Sequence, residues 1–343
     1  MRDEGGIAGI EDTGGAGGAE ESRRADLPER ARTLARALVR TLAAEGALTD
    51  PAWRAVFEAT PRHLFVPQYY VPRVGGYVRR RHDDPDPLGR ERWLTGVYED
   101  APLTTRLDDG EPVSSSSQPS LMAMMLQDLE VRDGMDVLEI GTGTGWNAAL
   151  LAHRLGDAHV TTVDLDPEIT REARDRLAAA GHRPAVVTGD GTRGCPERGP
   201  YDRIIATCAL RTVPPGWPAQ CRPGARVLAP MATGLVALRV LDDGRAEGRF
   251  LATPAYFVPL RGAAPPRPRI DPEGLPRDAL RNESFGFLLA LTADRLAPAA
   301  AYEVWRRAGR PDRTRYGVTV HGGSQWTWLD DPRGPDRWPS APG

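Results

Sequence analysis

The chain has 343 residues, 40% of them hydrophobic, which is enough for one large or two ordinary domains with a substantial core. Its 44 basic and 47 acidic residues leave a net charge of -3, so no global field points to nucleic acid or a membrane surface; no lysine occurs, which excludes Schiff-base and lysine-base chemistry. No apolar run reaches transmembrane length, no basic-then-apolar signal opens the chain, and Cys195, Cys208 and Cys221 form neither a disulfide framework nor a metal cluster, so a cytoplasmic protein without a metal site is expected.

Residues 1–25 are mostly Gly, Ala, Glu and Asp and bury too little to order themselves, so a flexible tail is expected there. From Leu27 onward, Ala31, Leu34, Ala35, Leu38, Val39 and Leu42 recur at helical spacing until Gly46, which predicts an amphipathic helix. Pro51 suits a first helical turn and opens a second helix through Trp53, Val56 and Phe57. Residues 60–67 read as an extended segment between prolines, and His63 within it has no partner arrangement that would make it a base. Residues 75–97, rich in Arg, Asp, Gly and Pro around Trp93, read either as an exposed loop or as a loop facing substrate. Four successive serines, 114–117, with Ser120 after them, precede the apolar helical run 121–126, either as a polar linker or with Ser117 or Ser120 capping that helix. The methionines of that run read as core packing.

Residues 136–155 then pass from an apolar segment through Gly141-Thr142-Gly143-Thr144-Gly145 into a helical pattern: strand, tight loop, helix. The spacing lacks the last glycine of the dinucleotide fingerprint and the Lys-Ser/Thr of a phosphate loop, which leaves a structural turn and a nucleotide-like cofactor loop as the two readings. Residues 159–164 form a second strand ending in Asp164. An acid about 20 residues past such a loop accepts hydrogen bonds from ribose hydroxyls, and the competing role of helix N-cap is already filled by Asp166 ahead of Pro167. A helix over 167–180, strands over 185–188, 201–207 and 225–230, and a hairpin over 235–251 follow. This alternation predicts an α/β fold, its mostly parallel sheet closed by an antiparallel pair.

In order and spacing, Arg62-His63-Leu64-Phe65-Val66-Pro67, Tyr98-Glu99-Asp100-Ala101-Pro102-Leu103, Ser117-Gln118-Pro119, the glycine loop, Gly189-Asp190-Gly191, Tyr201-Asp202-Arg203-Ile204-Ile205 and Phe257-Val258-Pro259-Leu260 resemble the protein-L-isoaspartate (D-aspartate) O-methyltransferase family, within the class I S-adenosylmethionine-dependent methyltransferases. The resemblance covers roughly residues 28–262. It implies a Rossmann-like catalytic domain over 26–262, S-adenosylmethionine as cofactor and S-adenosylhomocysteine as product. It also implies roles: Gly141 and Gly143 against the amino acid part of the cofactor, Asp164 at the ribose, Asp190 with Gly191 at the adenine, and Thr142 and Leu165 also at the cofactor. Ser117, with Ser116 beside it, falls at the catalytic site. The acceptor carboxylate is already ionised near pH 7, so alignment and water exclusion matter more than a strong base.

Two departures bear on substrate. The family's usual Thr-Ile-Ser-Gln-Pro is Ser115-Ser116-Ser117-Gln118-Pro119 here, and the chain continues past Leu260 through the proline-rich stretch 264–269 into a segment with a helix and aromatic strands. Residues 263–343 are therefore expected to be a small α+β C-terminal domain that either caps the sheet edge or grips a peptide. Such a tail is similar to the branch of the family that acts in the biosynthesis of lanthipeptides and graspetides, ribosomally made peptides. There a macrocyclic precursor peptide is methylated on an L-aspartate, and the ester closes to an aspartimide. Canonical isoaspartyl repair and an inactive scaffold subunit are the alternatives.

Overall fold

The computed structural model describes residues 15–261, 274–293 and 295–340. Helix α1 (Gly15–Ala44) begins inside the stretch expected to be a flexible tail; residues 1–14 lie outside the described residues. Its buried stripe of Ala31, Ala35, Leu38, Val39 and Leu42 packs with α2 (Pro51–Ala59), where Asp50 caps the first turn by accepting from the Ala52 N–H at 2.7 Å. Among the described residues no helix is long and apolar enough to cross a membrane.

A four-stranded antiparallel sheet follows, in the order β2-β1-β3-β4, built from β1 (Gln68–Arg73), β2 (Gly76–Arg81), β3 (Leu103–Asp108) and β4 (Glu111–Ser116), with α3 (Pro87–Val97) between its two halves. Residues 75–97 are therefore a strand and a helix rather than a loop. Their sequence hides this because β2 is exposed over most of its length and has no apolar alternation to betray it. The serines before α4 (Pro119–Asp128) lie on β4, and neither Ser117 nor Ser120 caps that helix. Asp100 does so from a distant turn, taking the Ser120 N–H at 2.8 Å on one carboxylate oxygen and Gln118 Nε2 at 3.1 Å on the other.

The main sheet has ten strands in the order β14-β13-β12-β11-β10-β9-β8-β5-β6-β7. Strand β5 (Val137–Ile140), helix α5 (Trp146–Leu155), β6 (Val160–Asp164), α6 (Pro167–Ala179), β7 (Ala185–Thr188), β8 (Tyr201–Ala206), short α7 (Gly216–Ala219) and β9 (Cys221–Met231) supply its parallel half. The hairpin β10 (Gly234–Val240) and β11 (Ala246–Pro254) turns the sheet antiparallel. This is the expected α/β fold, but the sheet is mixed and does not stop at that hairpin.

The C-terminal segment contributes α8 (Arg277–Leu280), α9 (Glu283–Thr292), α10 (Pro298–Arg307), β12 (Tyr316–His321), β13 (Ser324–Leu329) and β14 (Arg337–Pro339). The proline-rich stretch 264–269 lies outside the described residues. Strand β12 pairs with β11 from Ala246↔Val320 to Arg249↔Gly317, so this segment extends the catalytic sheet instead of building one of its own. Bare backbone makes the approach feasible: a Cβ on Gly317 would stand 2.6 Å from the Gly248 carbonyl oxygen. Phe287 of α9 fills the space above the seam, with ring centroids 4.9 Å from Phe250 and 5.6 Å from Tyr316. Arg313, buried beside it, donates to the Thr233 carbonyl at 2.5 Å and pairs with Glu283.

A continuous sheet and a shared aromatic core make one cooperative unit. Phe287→Ala should cost about 3–5 kcal/mol and lower a single unfolding transition seen by both near- and far-ultraviolet dichroism; two separated transitions would show that the C-terminal segment folds alone.

Candidate active site

Strand β5 is buried throughout and delivers the glycine loop to the C-terminal edge of the sheet, where β6 and β7 lie to one side and β8 and β9 to the other. Ligand crevices form at such a switch in winding. Gly141 has φ 96°, and a Cβ there would come within 2.7 Å of Thr207 Oγ1, so the position accepts only glycine. The Gly143 N–H donates to Asp164 Oδ2 at 3.1 Å, which fastens the loop to the end of β6.

Of the residues predicted for the site, Ser116, Ser117, Gly141, Thr142, Gly143, Asp164, Leu165 and Gly191 border one cavity, and Asp190 does not. Asp190 Oδ1 accepts the Thr192 N–H at 2.9 Å and starts the turn Gly191–Arg193. Asp164 is 8% exposed, and its Oδ1 already pairs with Arg261 Nη2 at 2.7 Å, so ribose hydroxyls reaching that carboxylate would meet an oxygen in use. His63 stands off the cavity: its Nδ1 bonds to the Tyr98 hydroxyl at 2.8 Å and burial pulls its pKa to about 4, so it stays neutral as a structural group. Cys208 borders the cavity, but burial pushes its thiol up to about 12, which removes it as a nucleophile.

Several functional positions escaped the sequence reading. Glu139, fully buried on β5, accepts from Asn147 Nδ2 at 2.7 Å and from Thr162 Oγ1 at 2.6 Å, while Thr142 and Thr162 share a 2.7 Å hydrogen bond. Burial outweighs those donors and lifts its pKa from 4.5 to about 7. A charged residue inside the run Val-Leu-Glu-Ile was the available signal, since a buried strand carries a carboxylate only when something binds it. Asn147 Oδ1, also at the cavity, is buried with no partner. A cavity lined by Glu139, Asp164 and an unpartnered amide oxygen fits a ligand that brings cationic and hydroxyl donors, as the amino acid and ribose parts of S-adenosylmethionine do.

Arg62 supports the acceptor side. It is 1% exposed, and its guanidinium donates to the carbonyls of Val97, Glu99, Ala101 and Ser117 at 2.8, 3.2, 3.2 and 2.9 Å, reaching Ser116 Oγ at 3.3 Å. The Ser116 hydroxyl is thus turned toward Arg62, whereas Ser117 Oγ makes no hydrogen bond among the described residues. Beyond Ser114 and Gly143 the cavity meets a second hollow of about 860 Å³ between the four-stranded sheet and α6.

Comparison with known proteins agrees with this geometry. The model of the protein-L-isoaspartate(D-aspartate) O-methyltransferase family matches residues 87–263. The chain is 35% identical over 225 residues to a protein-L-isoaspartate O-methyltransferase of Hyperthermus butylicus, covering 62% of this chain and 89% of that one. A solved protein-L-isoaspartate O-methyltransferase aligns with 88% of this chain and 86% of its own, with a TM-score of 0.55 and 24% identity. Residues 26–262 are too few to fill that alignment, so its fold continues into the C-terminal segment. A Plasmodium falciparum protein described as a β-aspartate methyltransferase of the same kind, solved with S-adenosyl-L-homocysteine, covers 67% of this chain and 99% of its own, with a TM-score of 0.51 and 13% identity.

The raised pKa of Glu139 has a definite sign. The unfolded group ionises near 4.5 and the folded one near 7, so stability is greatest below 4.5, falls between those values by roughly 3 kcal/mol, and is flat above. Urea midpoints across pH 4.5 to 7.5 should show that fall in the native chain and lose most of it in Glu139→Gln; an unchanged slope would place the titration elsewhere.

Proposed function

The chain belongs to the protein-L-isoaspartate(D-aspartate) O-methyltransferase family and is an S-adenosylmethionine-dependent carboxyl O-methyltransferase, and on that footing we propose that its acceptor is an aspartate-derived carboxylate held in a peptide. Ser117 carries this reading: an unengaged hydroxyl at a cavity bordered by the cofactor loop, beside a hollow wide enough for a peptide segment.

The bound cofactor supplies a methyl group on a sulfonium. This chain's residues do the rest. Glu139 and Asn147 receive the amino acid end, Asp164 and Leu165 the ribose, and Gly191 the adenine. Ser117 donates to the acceptor carboxylate and aims one oxygen at the methyl, and Arg62 keeps the Ser116–Ser117 backbone from drifting. One O–C bond forms as one C–S bond breaks. An anion and a cation both become neutral, so a dry, preset site favours the step and no base is required.

For the acceptor itself, we infer an L-aspartate in a ribosomally made, modified precursor peptide. Attack of the next backbone nitrogen on the new ester expels methoxide, which leaves with the amide proton as methanol and closes an aspartimide. Ser116 in place of the family's usual apolar residue supports this reading. A second reading, repair of isoaspartyl residues, is favoured by the relatives' names and by the solved family member whose fold also extends into that segment.

Mass spectrometry separates the two. A gain of one methyl followed by loss of methanol on a matched precursor is expected, and efficient methylation of plain isoaspartyl peptides with the precursor untouched would overturn it in favour of repair. Ser117→Ala should slow methyl transfer by roughly 10²-fold with little change in the calorimetric affinity for S-adenosylhomocysteine; equal losses would put Ser117 in the cofactor site instead.

A further inference from the structure

The hollow beside the cavity has two unlike walls. On one side α6 brings Asp166, Glu168 and Glu172, and each is already engaged. Glu168 and Glu172 each pair with Arg106 at 2.7 Å, Glu172 also with Arg176 at 2.5 Å, and Asp166 both caps α6 and sits 3.5 Å from Arg261. The facing wall is the hairpin β1–β2, whose register sets Tyr70 opposite Arg79 and Gln68 opposite Arg81, so that these four side chains share the face that lines the hollow. From Gln68 to His82 the chain holds Arg73, Arg79, Arg80 and Arg81 and not one carboxylate, against a net charge of -3 for the whole molecule. Arg79 is exposed and makes no ion pair among the described residues, and Arg81 has only Asp83, on the next turn, at 3.5 Å. Asp108 at the far rim is the one hollow-lining carboxylate left without an ion pair among the described residues. Val74, Tyr77 and Val78, all exposed, give the same hairpin apolar contact area.

A wall on which Arg79 makes no ion pair among the described residues and Arg81 meets Asp83 at 3.5 Å, opening onto a site for a peptide carboxylate, is complementary to further carboxylates on that peptide. We propose that the β1–β2 hairpin, through Arg79 and Arg81, is a specificity element that selects acidic peptide segments, engaging glutamate or aspartate side chains that flank the methylated residue. The inference rests on the peptide-methylation reading above and narrows its substrate class. The same arginines could meet nucleic acid phosphates. The hollow favours peptide because it meets the methyl-transfer cavity, where the peptide's acceptor carboxylate would sit.

The test uses the full chain and two synthetic peptides with the same acceptor residue, made in both aspartyl and isoaspartyl form, with flanks of glutamate in one and glutamine in the other. The native enzyme should favour the glutamate peptide roughly 10-fold in kcat/KM, mainly through KM, and the margin should shrink as salt shortens the screening length. The double variant Arg79→Gln/Arg81→Gln should bring the ratio close to one, while its thermal stabilisation by S-adenosylhomocysteine shows that it is folded. Methylation of both peptides with no glutamate preference, or a preference that survives in the double variant, overturns the inference and leaves the function standing. Failure to methylate either peptide in either form overturns the function first. If the double variant loses binding to a single-stranded oligonucleotide but keeps its peptide preference, the hairpin serves nucleic acid and the inference is wrong.

Discussion

A single buried guanidinium holds the acceptor half of this molecule together. Among the described residues Arg62 has no carboxylate within hydrogen-bond reach. It is solvated by carbonyls of the segment after α3 and of the Ser116–Ser117 turn, and it stacks 5.1 Å from the Trp146 ring at the start of α5. Burial lowers its pKa, and the field of Asp100 only partly restores it. A cation so placed is tolerable only while those oxygens stay where they are, because each lost acceptor exposes charge to a medium that cannot solvate it. The N-terminal helices, the small sheet, the glycine-loop helix and the serine turn are thereby bound to one point.

Around that point the two substrates are handled by opposite means. The cofactor side is made of backbone and buried acceptors: a loop held open by Gly141, an acid on β5 whose pKa burial raises, and Asn147 with an oxygen that has no partner among the described residues. The neighbouring hollow is bordered by donors, with Ser117 in the cavity and Arg79 and Arg81 along the hairpin. Methyl transfer cancels a positive and a negative charge, and a site with acceptors at one end and donors at the other holds the two ions apart until they align. Arg261, which borders both hollows and pairs with Asp164, stands where the two halves meet.

The C-terminal segment belongs to the same body. Strands β12–β14 cover what would otherwise be the bare edge of β11, a liability in any open sheet. The aromatic cluster of Phe250, Phe287 and Tyr316 then couples the far end of the sheet to the hairpin β10–β11, from which the chain leads back to Val258–Arg261 at the cavity. A tail read as a separate gripping domain is thus a structural continuation of the catalytic sheet.

The sequence by itself determined the parallel half of the sheet, the cofactor loop and the acid that ends β6, because these depend on local rules: apolar runs make buried strands, glycines make tight turns, and proline after aspartate starts a helix. It did not reveal β1–β4, whose exposed, arginine-rich strands carry no periodic signal. Nor could it show that Asp190 caps its own turn, or that the Ser116 hydroxyl rather than that of Ser117 meets Arg62. Those outcomes, and the pairing of β11 with β12 across a long gap in sequence, were decided by the tertiary structure. Each depends on which buried donor meets which acceptor, and burial is a property of the folded assembly that no single segment contains.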